Sequence, residues 1–215
     1  TAGHRMHAPR ALYDPEYTDP SWIDARIELI PRLKRWVATH HPGLKLGLTE
    51  HRWGAEDHIS GAIALSDALG AFARHGLDMA CYWQYPEPDS MAGLAWAMYR
   101  NVDGHGLKFG SSYLPVAHAA DDKGRTGDVA VHAARCAGDG GNTVSVIVLN
   151  RAPGRRQIEL AFAGSRGARV RRAFRVSGAA SRIHEDTLGS ETEQVTIRFT
   201  ALPTSMYHLR IGLKL

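Results

Sequence analysis

In the run Lys45-Leu46-Gly47-Leu48-Thr49-Glu50-His51-Arg52-Trp53-Gly54, a short apolar stretch ends on a carboxylate, and a tryptophan follows three residues later. A carboxylate at the end of a strand can serve as nucleophile, acid or base, and barrel enzymes gather such groups at the carboxyl ends of their strands. The indole of Trp53 is a flat apolar face with one polar edge, suited to lying on a sugar ring. Trp83 and Tyr85, at and just past the end of a second apolar run, and Tyr13, in an aromatic loop near the start, offer the same kind of surface. Glu50 is therefore the candidate catalytic residue, and Trp53, Trp83, Tyr13 and Tyr85 are the candidate substrate-binding residues. On residue types alone, a solvated strand-end acid and aromatics packed under loops are the commoner readings. His51 and Arg52 point to the opposite strand face or onward, so neither is assigned to Glu50. His58, which shares a polar loop with Glu56, reads as the cap of the helix that follows.

The elements around this run have a consistent pattern. Apolar residues at Ile23, Ile27, Ile30, Leu33 and Val37 predict an amphipathic helix, kinked at Pro31 or restarted with Pro31 in its first turn. His41-Pro42-Gly43 ends it, and the strand Lys45–Thr49 follows. The stretch Ile59–His75 predicts a helix rich in Gly and Ala that packs closely on a sheet, with Gly76 as its left-handed cap. A second apolar strand, Leu77–Trp83, comes at once, and a short helix spans Met91–Arg100. Strands that are apolar on both faces and joined through a helix form a right-handed parallel crossover. The opening Thr-Ala-Gly-His-Arg-Met-His-Ala-Pro-Arg shows no helix or strand pattern. A start at Thr1 reads as a cut or processed end, so the lack of a leader says nothing about secretion.

From Val116 the pattern changes to short alternating runs: Asp128–Arg135, Thr143–Leu149, Arg155–Phe162, Ala168–Val176, Gln194–Thr200 and Thr204–Ile211. Turn residues separate them, which predicts an antiparallel β-sandwich with a boundary near residue 115. A complete barrel of strand–helix units needs roughly 250 residues, and the first part supplies only about two units. Two parallel strands cannot bury themselves, so a partner or a further barrel segment is expected to complete them.

Composition narrows the function classes. The chain has 215 residues, 44% of them hydrophobic and 22% charged, with a net charge of +4. No apolar run is long enough to cross a bilayer as a helix. The arginines at 151, 155, 156, 166, 169, 171, 172 and 175 crowd one segment, but no nucleic-acid recognition pattern accompanies them, and a solvated sheet face is the reading adopted. The two cysteines fit no metal or redox spacing, and Cys81 reads as a small core residue. Of the histidines, His40 and His41 suit a helix end and none has ligand spacing. Asp121, Asp122 and Asp139 have calcium-type oxygens without a calcium-site spacing, so no metal or cofactor is assigned.

Three stretches carry a family resemblance: Leu29-Ile30-Pro31-Arg32-Leu33-Lys34, the block from Thr49 to Gly61, and Arg100-Asn101-Val102-Asp103-Gly104. Together they resemble glycoside hydrolase family 44 over residues 10 to 113; beyond that the likeness rests on strand order and the closing Leu202-Pro203. Leu12-Tyr13-Asp14-Pro15-Glu16-Tyr17 is similar to the family's Leu-Trp-Asp-Pro-x-Tyr loop, with Tyr13 as the smaller ring. The resemblance implies a retaining endo-β-1,4-glucanase acting on cellulose-like glucan, xyloglucan or xylan, built as a (β/α)8 barrel carrying a β-sandwich and secreted. Residues 1–115 would then be the carboxyl-terminal part of the barrel, with its seventh and eighth strands, and 116–215 the sandwich. Glu50 matches the family's nucleophile. The acid/base glutamate belongs to an Asn-Glu-Pro motif, which does not occur in this sequence. The expected partners are a β-1,4-linked polysaccharide and the amino-terminal half of the barrel, without which the chain should be inactive. Retaining hydrolysis uses two carboxyls about 5–5.5 Å apart, and an ionised Glu50 calls for a polar, hydrogen-bonded setting. Another retaining barrel glycosidase, such as a xylanase or mannanase, and a non-catalytic carbohydrate-binding piece are the alternatives.

Overall fold

The computed structural model describes residues 1–117, 127–137, 141–178, 182–188 and 196–214. Asp121, Asp122, Asp139 and the start of the fifth expected strand (Gln194 and Val195) lie outside these residues.

The helix-bearing part opens with α1 (Ala2–His7), a 3-10 turn (Ala8–Leu12), and a ribbon of β1 (Thr18–Asp19) and β2 (Ala25–Arg26). It continues through α2 (Leu29–His40), β3 (Gly47–His51), α3 (Ile59–His75), β4 (Met79–Tyr82) and α4 (Met91–Arg100). Everything here is arranged about α3. From Ile59 to Phe72 every residue except Leu69 is buried, the mark of a helix packed on all sides. Its Ala68, Ala71 and Phe72 meet Ile30 of α2 together with Leu46, Leu48 and Ala80 of the strand layer. Ile59, Ala62, Ile63 and Leu65 share a second core with Leu94, Ala95 and Met98 of α4. The caps are as expected: His58 Nδ1 accepts from the Ser60 N–H at 3.1 Å, and Gly76 closes the helix in the left-handed conformation.

Two sequence expectations need correction. The opening stretch is helical, because the Thr1 hydroxyl caps α1 and Met6 is buried in the α3–α4 core; six residues are too few to show a period. The helix expected from Ile23 starts only at Leu29, since Asp24 and Glu28 take left-handed backbone conformations, with φ of 43° and 44°, that break any helix between them. Pro31 then falls in the first turn, where its missing N–H costs nothing.

The remaining strands are β5 (Ser112–Leu114), β6 (Val129–Arg135), β7 (Thr143–Asn150), β8 (Arg156–Ala161), β9 (Gly167–Ser177), β10 (His184–Asp186), β11 (Thr196–Ala201) and β12 (Ser205–Lys214). A six-stranded antiparallel sheet runs β10-β9-β12-β7-β6-β5, and β11 pairs with β8 apart from it. Ile158, Ile197 and Phe199 of the β8–β11 pair share a core with Val144, Val146, Val148, Tyr207 and Leu209 of the larger sheet. The opposite face of that sheet, through Ala130, Ile147, Leu149, Phe174 and Met206, packs on α3 and α4. The central strand β7 is thus covered on both faces and buried from end to end, so Thr143-Val-Ser-Val-Ile-Val-Leu-Asn does not obey the alternation expected of it. β8 and β11 bury one face only and keep that alternation. β5 joins the large sheet just ahead of the boundary expected at 115; three residues are too short to signal a strand.

Candidate functional site

β3 and β4 run parallel and are fixed at both ends. The Asp78 carboxylate accepts the Leu46 N–H at 2.8 Å while the Asp78 N–H donates to the Leu46 carbonyl at 3.0 Å. At the other end the Trp83 N–H donates to the His51 carbonyl at 2.9 Å. Between these ties the strands fall out of step. Gly47 and Leu48 lie opposite Met79 and Ala80, but His51 lies opposite Tyr82, so β3 advances three residues while β4 advances two. The extra residue makes a bulge at Thr49–Glu50, the kind of feature that re-aims a side chain. Leu48 and His51 both turn toward α3: Leu48 packs on its core, and the His51 ring centroid is 5.0 Å from that of Phe72 and 5.2 Å from that of Tyr82. Thr49 and Glu50 are exposed, as are Met79 and Cys81 of β4. Cys81 is therefore not in the core that these elements form: it stands on the strand face turned away from α3. Cys136 is buried, and both thiols are free.

Glu50 thus ends a bulged strand on an open face. No described residue hydrogen-bonds its carboxylate, so the polar setting expected for it is not formed by these elements. Trp83 and Tyr85 emerge at the same end of the sheet and are 51% and 89% exposed, so the structure brings both to Glu50's end of β3. Trp53 lies lower, packed against both helical cores, and its buried indole N–H has no partner among the described residues. Tyr13 is elsewhere. Its hydroxyl donates to Asp67 at 3.3 Å, its ring stacks on His75 at 6.3 Å, and the Arg74 guanidinium lies 5.6 Å from its centroid. Asp67 is already about 12 Å down α3 from Ile59, at 1.5 Å rise per residue. Burial and the Asp67 charge hold the Tyr13 hydroxyl well above its ordinary range.

The loop after β3 is held by its own chemistry. Arg52 Nε donates to Glu56 Oε1 at 2.6 Å and the Tyr82 hydroxyl donates to the same oxygen at 3.2 Å. The hydrogen bond from Arg52 draws the Glu56 carboxyl below its usual range, against a smaller opposing effect of burial. Burial, reinforced by Glu56, pushes the Tyr82 hydroxyl up to about 12. Gly61 lets the first turn of α3 close beneath this loop, because a Cβ there would lie 2.2 Å from the Ala55 carbonyl oxygen. The ring of His51, half-buried with neither nitrogen partnered among the described residues, is kept neutral by desolvation, which lowers its pKa to about 4.

A second polar cluster lies between α3 and the large sheet, and the sequence reading did not find it. Asp67 is fully buried and accepts from Arg151 at 2.5 Å, is 3.0 Å from His132 Nε2, and receives the Tyr13 hydroxyl. Burial alone would raise the Asp67 carboxyl; the Arg151 charge and the His132 contact outweigh it and bring the pKa down to about 2. Arg151 is thus a buried bridging residue, not part of a solvated face, whereas Arg156, Arg172 and Arg175 are paired with Asp128, Asp103 and Asp186. The one sequence signal was Asp67 itself, the only acid of α3, set among small and apolar residues. A groove of about 500 Å³ between the end of α4 and β9–β10, lined by Asp103, Arg172, Phe174 and Glu185, contains none of the expected site residues.

No family model matches the sequence. Endoglucanase A of Paenibacillus lautus is 42% identical over 117 residues, which is 53% of this chain and 17% of that protein. Among solved structures, a bifunctional glucanase-xylanase from a metagenome library is 32% identical with a TM-score of 0.86, covering 99% of this chain and 40% of that one. A xyloglucanase of glycoside hydrolase family 44 from Paenibacillus polymyxa is 29% identical with a TM-score of 0.85, covering 100% of this chain and 41% of that one. The chain resembles glycoside hydrolase family 44 from end to end. It spans about two-fifths of the length of these two solved structures and less than a fifth of Endoglucanase A. The likeness to family 44 therefore includes the sheet-bearing part, where the resemblance in sequence rested on strand order and the closing Leu202-Pro203.

Proposed function

We propose that this chain is the part of a retaining β-1,4-glucan hydrolase that carries the nucleophile, Glu50, at the end of the seventh of eight barrel strands. The observation that carries the reading is the bulged end of β3, which leaves an exposed carboxylate beside the exposed Trp83 in a chain that follows family 44 throughout. In this reading the Glu50 carboxylate attacks the anomeric carbon and the glycosidic oxygen leaves with a proton from a second carboxyl. Water then hydrolyses the glycosyl ester, with that second carboxyl now acting as base. The family 44 resemblance implies that the acid/base is the glutamate of an Asn-Glu-Pro motif, which this sequence lacks, so it is assigned to a barrel segment beyond this chain; Glu56, the next acid along the loop, is committed to Arg52 and Tyr82. The same segment would cover the open face of β3 and β4 and complete the setting around Glu50.

Trp83 and Tyr85 are the sugar-stacking candidates that remain with Glu50, whereas Trp53 packs on His51 and the helical cores. The substrate is a glucan or xyloglucan, with xylan as the second choice on the strength of the glucanase-xylanase neighbour. The protein is expected to act outside the cell, where such polymers occur. The test is Glu50→Gln in the intact enzyme, assayed on carboxymethylcellulose, xyloglucan and xylan. Turnover should fall on the order of 10⁴-fold or more on every polymer, the scale on which loss of a nucleophile is felt in other covalent mechanisms. Ordinary turnover by Glu50→Gln would refute the assignment, and xylan as the sole substrate would favour the xylanase reading.

A further inference from the structure

The step between β3 and β4 reverses the direction of every side chain beyond it. Had β3 stayed in register, residues 48 and 50 would share a face, and Glu50 would follow Leu48 into the core against α3. With two residues of β3 set against one of β4, it is His51 that follows Leu48, and Glu50 is left on the open face. The bulge must be held on its inner side, or the strand could slip back into register. His51 is the residue that does this. Its ring meets Phe72 and Tyr82 edge-on and lies 6.5 Å from Trp53, so it is enclosed by aromatic surface on the helix side of the sheet. Neither ring nitrogen has a partner among the described residues, so the imidazole is gripped by shape and not by hydrogen bonds.

We infer that His51 is the positioning residue for Glu50: its ring, locked under the bulge by Phe72, Tyr82 and Trp53, keeps the carboxylate turned out of the α3 core. This rests on the proposed role of Glu50 as nucleophile. Because the ring is held neutral by burial, it adds no charge beside the carboxylate, and its effect is geometric. A misplacement of about 1 Å in a reacting group costs on the order of 100-fold in rate, so a loosened bulge should be felt strongly.

The experiment compares His51→Ala, His51→Phe and Glu50→Gln in the intact enzyme, with kcat and KM on a soluble glucan and a thermal melt for each. His51→Ala should lower kcat by about 100-fold with KM within about twofold, since the bound sugar is not touched. His51→Phe, which keeps an aromatic ring, one atom larger, and removes the unpartnered nitrogens, should hold kcat within about threefold of wild type. A His51→Ala enzyme with ordinary kcat overturns the inference, and so does a His51→Phe enzyme as slow as His51→Ala. If Glu50→Gln retains turnover, the reading of Glu50 itself fails; if only the His51 results depart, the nucleophile stands and the positioning role falls.

Discussion

Trp83 and Trp53 present the same indole to opposite environments, and the difference separates binding from stability. Trp83 is half exposed at the end of the sheet where Glu50 lies, while Trp53 is packed against both helical cores. Replacing Trp83 by Ala in the intact enzyme is expected to raise KM roughly tenfold, the scale of a lost stacking contact of 1–1.5 kcal/mol, and to leave the melting temperature unchanged. Trp53→Ala is expected to cost about 2 kcal/mol of stability, less than a full core deletion because its ring is only partly buried. Kinetics and melts of the two variants side by side check this, and the reverse pattern would move Trp53 into the cleft. Glu50 and Trp83 were legible in the sequence as residue types at strand ends. The outward turn of Glu50 was not, because it depends on how β3 registers with β4, a relation between segments that no local pattern records. Tyr13 misled for a similar reason: a ring in an aromatic loop gives no sign that its hydroxyl meets Asp67 on a helix far along the chain.

At the scale of elements, legibility followed length and one-sided burial. α3 and α4 were expected at their observed bounds, since seventeen and ten residues are enough to display a period and a capping residue. α1, β5 and β10, with six, three and three residues, were invisible because so few residues show no period. The Gly and Ala content of α3 did predict close packing, and Gly70 shows how close. A Cβ at Gly70 would lie 2.2 Å from the His132 ring on β6. Gly70→Ala gains about 1 kcal/mol in helix propensity but overpacks this contact at a cost of about 1–3 kcal/mol. The expected outcome is a net loss of stability in a urea titration of the intact protein. A more stable Gly70→Ala would mean that α3 and the sheet can separate without penalty.

The whole molecule is held together by groups that carry its pH dependence. Asp67 lies where α3 meets the large sheet, and its ion pair with Arg151 joins the helical part to the loop following β7. Its pKa is about 2 in the folded protein, against about 3.9 for an unfolded aspartate. A carboxyl depressed by folding binds fewer protons in the folded state, so its contribution is complete above about pH 4 and is lost as the pH falls through 2. Asp103, also lowered to about 2 by backbone donors and Arg172 against the effect of burial, acts in the same direction. His208, held between the Met98 carbonyl and Ser145, is lowered to about 4 by desolvation, so its contribution is complete above about 6.5 and is lost between there and 4. The melting temperature of the intact protein should therefore fall in two stages on acidification, one between pH 6.5 and 4 and one below pH 4. Asp67→Asn keeps a partner for His132 and Tyr13 but leaves the Arg151 guanidinium buried and uncompensated, at a cost of about 3–5 kcal/mol near neutrality. That cost should shrink as the pH drops, because wild-type Asp67 also loses its charge and Arg151 becomes equally unpaired in both proteins. Melts of the two proteins from pH 7 to pH 2 give the answer: the gap should narrow by about 2 kcal/mol between pH 4 and pH 2, while the first stage, set by His208, His51 and His75, stays in both. A gap that stays constant to pH 2 would show that the Asp67–Arg151 pair does not couple the helices to the sheet through charge.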